Sequence, residues 1–365
     1  MSTVLQPATT AELQELVLAS PQLSVRGGGS KPGLSPPIAN AVAVDLRGLS
    51  GILEYVADEF VVTAQAGTPV SLIAEELFRH GQYLPFDPLL AGRGATLGGT
   101  VAANTCGSGS YRWGGVRDFL LGVRFVDGRG QVVRSGGKVI KSTAGFDLAR
   151  FLVGSLGRYG ILVELSFKVF PRPRSFLTLE FTYPSLAEVQ RALFRLAVEP
   201  WDIDALDFEP LGKTKLRLLV RLGGLEADLP DRVARLEEFL QTVGEPLPQQ
   251  TLLGDREAAY WREVNQLAWV PPAASLLKVP LSARSIPSFD ARFPSAVRRY
   301  TAGGSVAWLA VEDLSAARTV LTELGLTGLQ IWGAGGDPFV GPRRGLALAQ
   351  RAKRALDPDG KFGEA

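Results

Sequence analysis

Short apolar runs dominate the first half of the chain, and long helical stripes appear only in the second. Residues 23–26, 41–46 (AVAVDL), 51–56 and 61–66 (VVTAQA) each have the apolar density or alternation of a strand. Residues 11–19 read as a short helix. VSLIAEELFRH has a helical period, with Thr68 expected as its N-cap, Pro69 as its first helical residue and Gly81 as its end. Residues 120–126 and 131–134, joined by Asp127-Gly128-Arg129-Gly130, predict a hairpin. A loop at 138–142, a helix over 146–153 and a strong strand over 161–170 follow. Pro171-Arg172-Pro173-Arg174 then breaks the pattern. Beyond it, strands at 177–183, 206–209, 215–222, 275–281, 305–311 and 328–332 are interleaved with helices at 186–198, 230–243, 256–268 and 315–324. From Gly333 the chain is again glycine-rich, continues as a basic helix over 343–356 and ends in DPDGKFGEA. The pattern predicts an α+β protein. Its expected divisions are 1–174, a helix-covered sheet over 175–332, and a C-terminal segment, 333–365, that returns to the first part.

Two stretches fit neither period. Residues 92–118 read GRGATLGGTVAANTCGSGSYRWGGVRD, and Arg26-Gly27-Gly28-Gly29-Ser30 makes a similar demand earlier. Glycine at that density costs conformational entropy, so it marks backbone that turns sharply or is touched closely. Thr96 is placed to cap a short helix running through Gly98 to Ala103, where small side chains leave backbone exposed to a ligand. Glycine-loop amides suit a phosphate, and Arg26, Ser30 and Lys31 add charge or hydrogen bonds. Known nucleotide loops do not match. Gly92, Gly94 and Gly98 miss the dinucleotide spacing by one, and Pro85 and Pro88 spoil the strand that should precede them. Gly212-Lys213-Thr214 ends like a Walker loop, but Asp207 stands where its leading glycine belongs.

Composition narrows the chemistry. The net charge of +2, with no basic stripe, argues against a nucleic-acid partner. One cysteine, Cys106, excludes an intrachain disulfide, a chain-held iron–sulfur cluster and a zinc–thiolate site; one histidine, His80, excludes a multi-histidine metal centre. No metal site is expected. The N-terminal stretch lacks a basic residue before Arg26 and an apolar signal core, and no run approaches a membrane span, so a cytoplasmic protein is the expectation.

Five segments occur in an informative order: RGGGS, VVTAQAGTPV, ATLGGTVAAN, VRDFLLGVRFVDGRGQV and KVIKSTAGFDLARFLVGSLGRYGILVELSFKVFPRPR. Together they resemble the FAD-binding domain (PCMH type) of the vanillyl-alcohol oxidase and p-cresol methylhydroxylase family. Within it, they are most similar to the E-subunit branch of bacterial glycolate oxidases. The match covers roughly residues 20 to 175 and is looser beyond, through WREVNQLAWV, QIWGAGG and DPDGKF. The resemblance implies two α+β subdomains with FAD extended between them, followed by an α+β cap. It gives Arg26, Gly27, Gly28, Gly29 and Ser30 to the pyrophosphate. Thr96, Leu97, Gly98, Gly99, Ala102, Ala103 and Asn104 would line the flavin and its phosphates. Val116, Arg117 and Asp118 would sit by the ribityl chain, and Gly160, Ile161 and Val163 at the adenine end. Ser30 occupies the place of the histidine that attaches flavin in many relatives, so the FAD is expected to be noncovalent. The closing KFGEA departs from the family's FNPGR.

Oxidising a 2-hydroxy acid requires a cation for the carboxylate, a base for the hydroxyl and access to the flavin ring. Arg93, Arg112, Arg117 and Lys141 are candidate cations, with Arg112, Arg117 and Lys141 carried as the catalytic candidates. Tyr83 and Tyr111 are candidate hydrogen-bonding groups. Related catalytic subunits have a histidine-rich site, whereas His80 stands alone here, at a predicted helix C-terminus. The expectation is therefore an FAD-binding subunit of a glycolate-oxidising complex. Its expected partners are a homologous catalytic flavoprotein and an iron–sulfur subunit, with any membrane association made through them. The alternatives are a stand-alone FAD-linked D-2-hydroxy-acid dehydrogenase and an assembly subunit with a vestigial flavin site.

Overall fold

The computed structural model describes residues 4–36, 38–137, 147–212, 214–244, 246–333 and 336–364. The fold is α+β. In the first part, β1 (Val4–Leu5), β2 (Leu23–Arg26) and β3 (Val42–Asp45) form a small parallel sheet with β3 in the middle. The helix Thr10–Ala19 buries Leu13 and Val17 in the cluster that also holds Leu23 and Val44. Next come β4 (Ile52–Val56), β5 (Val61–Gln65), the short β6 (Gln82–Tyr83), β7 (Leu120–Val126), β8 (Val132–Gly136), β9 (Ile161–Lys168) and β10 (Phe170–Pro171). Five of these make an antiparallel sheet ordered β4-β5-β9-β7-β8; β6 and β10 pair separately. The helices Val70–Arg79 and Leu97–Ala103 place Ile73, Leu77, Leu97 and Val101 in that sheet's core.

The remaining strands are β11 (Ser175–Tyr183), β12 (Ile203–Leu211), β13 (Lys215–Gly224), β14 (Leu247–Leu253), β15 (Ser275–Pro280), β16 (Val297–Thr301), β17 (Val306–Val311), β18 (Gly328–Trp332) and β19 (Phe339–Val340). Among the described residues they form one sheet, ordered β14-β11-β13-β12-β16-β17-β15-β18-β19. Strand side chains alternate between faces, and the alternation decides the architecture. Leu206, Phe208, Leu277, Val279, Tyr300 and Leu309 face one way, into a core shared with helices such as Leu186–Val198. That helix is capped by Ser185 and buries Val189, Ala192, Leu193 and Leu196, one helical stripe.

The opposite face meets the first part of the chain. Leu276, Trp308, Ala310 and Ile331 pack there with Leu34, Val70, Leu89, Leu90 and Ala103. This face is also ionic. Arg299 donates to Asp207 at 3.1 Å and to Glu209 at 2.8 Å, and Ser108 Oγ donates to Asp207 at 2.5 Å. Arg221 donates to Glu257 at 2.7 Å. Burial pushes the Asp207 carboxyl up, against the pull of Arg299 and the Ser108 bond. These contacts dock the 86–112 segment onto the sheet.

Several expectations need correction. Pro69, not Thr68, holds the N-cap position of the helix Val70–Arg79. Thr68 Oγ1 instead binds the backbone N–H and C=O of Gly51, and Ala95 O accepts the Val70 amide. The C-terminal helix begins at Leu346, because Gly345 at φ 71° breaks helical geometry before it. The strand expected over 41–46 ends at Asp45, whose carboxylate turns the chain by accepting the Arg47 amide. Strands β14 and β16 were not expected. The helix 146–153 and the loop 138–142 lie partly or wholly outside the described residues; Leu148–Leu152 is helical.

Replacing Asp207 with alanine leaves the buried Arg299 guanidinium without its innermost partner. The expected loss is roughly 3–5 kcal/mol of stability, read from urea unfolding. A midpoint unchanged from the parent chain would show that this pair does not hold the sheet to the 86–112 segment.

Candidate cofactor-binding site

The site begins where β2 ends. Arg26 stands 3.6 Å from Asp45, which also receives Arg47. The chain then leaves the sheet through Gly27, Gly28 and Gly29. A Cβ on Gly27 would lie 2.3 Å from Thr96 Oγ1, and one on Gly28 only 1.6 Å from Gly94 O. The two glycine-rich stretches therefore touch backbone to backbone, an approach that only glycine permits. Gly29 turns the chain at φ 67°. Among the described residues, no protein acceptor takes the amides of Gly28, Gly29 or Ser30.

The opposite wall is the helix Leu97–Ala103. Thr96 caps it by accepting the Gly99 amide at 3.2 Å. Leu97 and Val101 turn into the core, while Gly98, Gly99, Ala102 and Ala103 line a cavity of about 550 Å³. That size suits a substantial small molecule. Arg26 to Ser30, Thr96, Gly160 and Ile161 also line it. So do Lys31, Leu34, Ala66, Leu156, Gly157 and Gly333, which were not among the expected cofactor contacts. The glycine turns SLGRYG and QIWGAGG were the available signals for Gly157 and Gly333.

Not every expected residue reaches this cavity. Leu97 and Val116 are buried in the core of the five-stranded sheet, and Val163 lies in the core beneath β3. Arg117 is exposed; Asp118 accepts the Gly115 amide at 2.8 Å. Asn104, just past the helix, has a left-handed backbone and gives its carbonyl to Lys278. Among the catalytic candidates, Arg112 is bound to Asp202 and Asp204 at 3.0 and 3.2 Å and stacks on Trp113. Lys141 lies outside the described residues. Arg93 covers Trp332, whose indole N–H donates to Ser30 O. Tyr111 packs against the helix-side core of the large sheet, and burial raises the Tyr83 phenol. His80 ends its helix 3.5 Å from Glu76 and edge-on to Tyr55, away from the cavity lining.

The electrostatics of the cavity are one-signed. Among the described residues its lining contains Arg26 and Lys31 and no acidic residue. Lys31 is buried, and burial lowers its ammonium from 10.5 to about 8. A buried cation beside amides without acceptors, at a glycine turn, is chemistry for a diphosphate. The flat wall of Gly98, Gly99 and Ala102 leaves room for a planar ring. The residues present thus fit FAD.

Comparison with known proteins agrees. A family model described as an FAD binding domain matches residues 1–136. The chain is 32% identical to glycolate oxidase subunit GlcE of Escherichia coli (strain K12), over 97% of this chain and 95% of that protein. It is 27% identical to glycolate oxidase subunit GlcD of Bacillus subtilis (strain 168), over 56% of this chain and 45% of that one. It is 32% identical to a D-lactate dehydrogenase of Anaerostipes hadrus, over 46% of this chain and 35% of the relative. A solved structure of alkyldihydroxyacetonephosphate synthase superposes with a TM-score of 0.74 at 15% identity, over 99% of this chain and 75% of the other; this likeness concerns the fold. The fold and the cavity define an FAD-dependent oxidoreductase of the PCMH type. More narrowly, the chain belongs to the family of the glycolate oxidase E subunits.

Gly28→Val should abolish flavin uptake while the large sheet stays folded, seen as loss of bound-flavin absorbance with unchanged far-ultraviolet circular dichroism. Full flavin occupancy in that variant would place the site elsewhere. Lys31→Met should weaken FAD binding about tenfold near neutral pH. In the parent chain, affinity should fall as pH rises through about 8, where the lysine discharges. Between about 8 and 10.5 the unfolded chain keeps a proton that folded Lys31 has lost, so the flavin-free fold gains stability as pH rises through that window. The methionine variant should be roughly 1–3 kcal/mol more stable than the flavin-free parent at neutral pH. A pH-independent FAD dissociation constant in the parent would refute this role for Lys31.

Proposed function

We propose that this chain is the FAD-carrying subunit of an assembly that oxidises a small 2-hydroxy acid, glycolate to glyoxylate, and passes the electrons to a partner. The observation that carries the proposal is the acid-free cavity, where the Arg26–Ser30 turn and Lys31 face the small-residue helix Leu97–Ala103. Similarity along nearly the whole length of a glycolate oxidase subunit supplies the substrate class. In this reading the glycine turn and Lys31 hold the pyrophosphate, and the short helix lies along the flavin. Gly160 and Ile161, which line the cavity, meet the adenine end. FAD, held noncovalently, supplies the hydride-accepting ring. The chain's own residues orient it, exclude acidic groups from its phosphates and leave water little room along the small-residue wall. Residues 1–174 form the FAD-binding domain and 175–332 the cap. Residues 333–365 close back onto the first domain, as the packing of Phe362 beside Leu23 and Val44 supports.

The partners in this reading are a homologous catalytic flavoprotein and an iron–sulfur subunit. Cys106 is the only cysteine, so onward one-electron transfer needs a cluster held elsewhere. Among the described residues, no helix is long and apolar enough to cross a membrane. A cytoplasmic location, with membrane contact through partners, belongs to the same proposal.

The purified chain should be yellow and should release FAD on denaturation. With glycolate it should turn over slowly alone and faster once the partner subunits are added. A colourless chain that takes up no FAD would leave only a scaffold role. Turnover alone at the rate of the full assembly would make it a self-sufficient dehydrogenase.

A further inference from the structure

The inner face of the large sheet carries several cations, and their partners differ. Arg299 is bound to Asp207 and Glu209, Arg221 to Glu257, and Arg217 to Glu209 and Glu180. Lys278 stands on the same face, two residues along β15 from Leu276 and directly opposite Trp308 on β17. Among the described residues, no carboxylate lies within ion-pair distance of it. Its hydrogen bond goes to the backbone oxygen of Asn104, at 2.5 Å, across the junction with the first part of the chain. That carbonyl follows Ala102 and Ala103, which line the cofactor cavity.

The surroundings of Lys278 make this arrangement unusual. The side chain is enclosed deep in the protein, and burial pushes its ammonium below the ordinary lysine value. It nevertheless keeps accessible surface, as do Asn104 and the equally enclosed Cys106. All three lie where the sheet meets the end of the helix Leu97–Ala103. The Cys106 thiol is the titratable group that acts on Lys278; burial raises that thiol, and Asp118 and Asp87 raise it further, so it stays neutral. A buried ammonium without an anion is costly, and an incoming anion offsets that cost.

We propose that Lys278 forms a binding subsite for a single small carboxylate beside Asn104 and Cys106, where the large sheet meets the end of the helix Leu97–Ala103. The ligand class is the carboxylate of a 2-hydroxy or 2-oxo acid. An ammonium has three donors. One is spent on Asn104, and two remain to meet the two oxygens of one carboxylate. A phosphate dianion would call for a second cation, and the arginines nearby on this face are already neutralised. Lys278 also replaces the sequence candidates: Arg112 is held by two aspartates, and Arg117 is exposed. This inference rests on the 2-hydroxy-acid reading above.

The competing role for Lys278 is structural, as a cap on the last carbonyl of the short helix. Three variants separate the two. Lys278→Gln keeps a donor for Asn104 but removes the charge, Lys278→Arg keeps both, and Lys278→Met removes both. The full-length chain is loaded with FAD, and its flavin content is measured first. Oxalate is then titrated, followed by the flavin difference spectrum and by calorimetry. The expected result is saturable oxalate binding to the parent chain and roughly ten- to hundredfold weaker binding to Lys278→Gln at equal flavin content, with Lys278→Arg restoring most of it. Unchanged oxalate affinity in both Lys278→Gln and Lys278→Met overturns the proposal. So does a flavin-loaded parent that binds no oxalate, which leaves the flavin reading intact. Loss of flavin from both uncharged variants assigns Lys278 to holding the wall and also overturns it. A parent chain that takes up no flavin refutes the underlying functional reading instead.

Discussion

The cavity exists because two glycine-rich stretches lie in backbone contact. Gly28 sits so close to Gly94 O that no side chain fits between them, and Gly27 is pressed against the Thr96 hydroxyl that caps the next helix. This one contact joins the small parallel sheet to the helix Leu97–Ala103. Among the described residues it also leaves the amides of residues 28–30 without protein acceptors, facing the same space as Lys31. Unsatisfied amides and a buried ammonium are both costly by themselves. They become favourable together once an anion is present. Binding energy is thus stored in the shape of the backbone, and a change of side chain at these glycines disturbs the shape before it disturbs any contact.

Charge is sorted by location. Among the described residues, acidic groups are absent from the cavity lining and abundant on the inner face of the large sheet, where Asp207, Glu209 and Glu257 meet arginines. The sheet face can bury so many ions because each guanidinium finds a carboxylate in good geometry. The same pairing fixes the 86–112 segment, through Ser108 on Asp207 and Gly109 on Asp87. That segment carries the helix wall, so ionic order on the sheet supports apolar order along the cofactor. Lys278 is the exception on this face, since it meets a carbonyl where the arginines meet acids.

What was legible in the sequence was local. The glycine turn, the Thr96 cap and the α+β alternation depend on neighbours a few residues away, and each left a mark in composition or period. Strand β16 did not. VRRYT reads as a polar stretch, yet Arg299 is buried because its partner Asp207 lies 92 residues earlier. Thr68 looked like a cap, but its hydroxyl is taken by Gly51 from another part of the sheet. Lys278 was legible as a strand residue and no more, since the carbonyl it meets is 174 residues away. Period and propensity report burial of a pattern. They carry no information on which distant group neutralises a charge, and the chemistry of this site depends on such pairs.

The end of the chain closes the design. Asp357 is fully buried and accepts from the Lys353 side chain and the amides of Lys361 and Phe362, which folds DPDGKF into a tight turn. Lys361 then donates to Val17 O, and its carbonyl receives the Leu23 amide at the start of β2. Phe362 fills the core under that strand. The strand that delivers Arg26 to the cavity is therefore clamped by residues that follow the entire large sheet. Gly333, just past β18, lines the same cavity, and the indole of Trp332 holds Ser30 O. The cofactor site is built from both ends of the chain, so the geometry of the glycine turn depends on the fold of the large sheet.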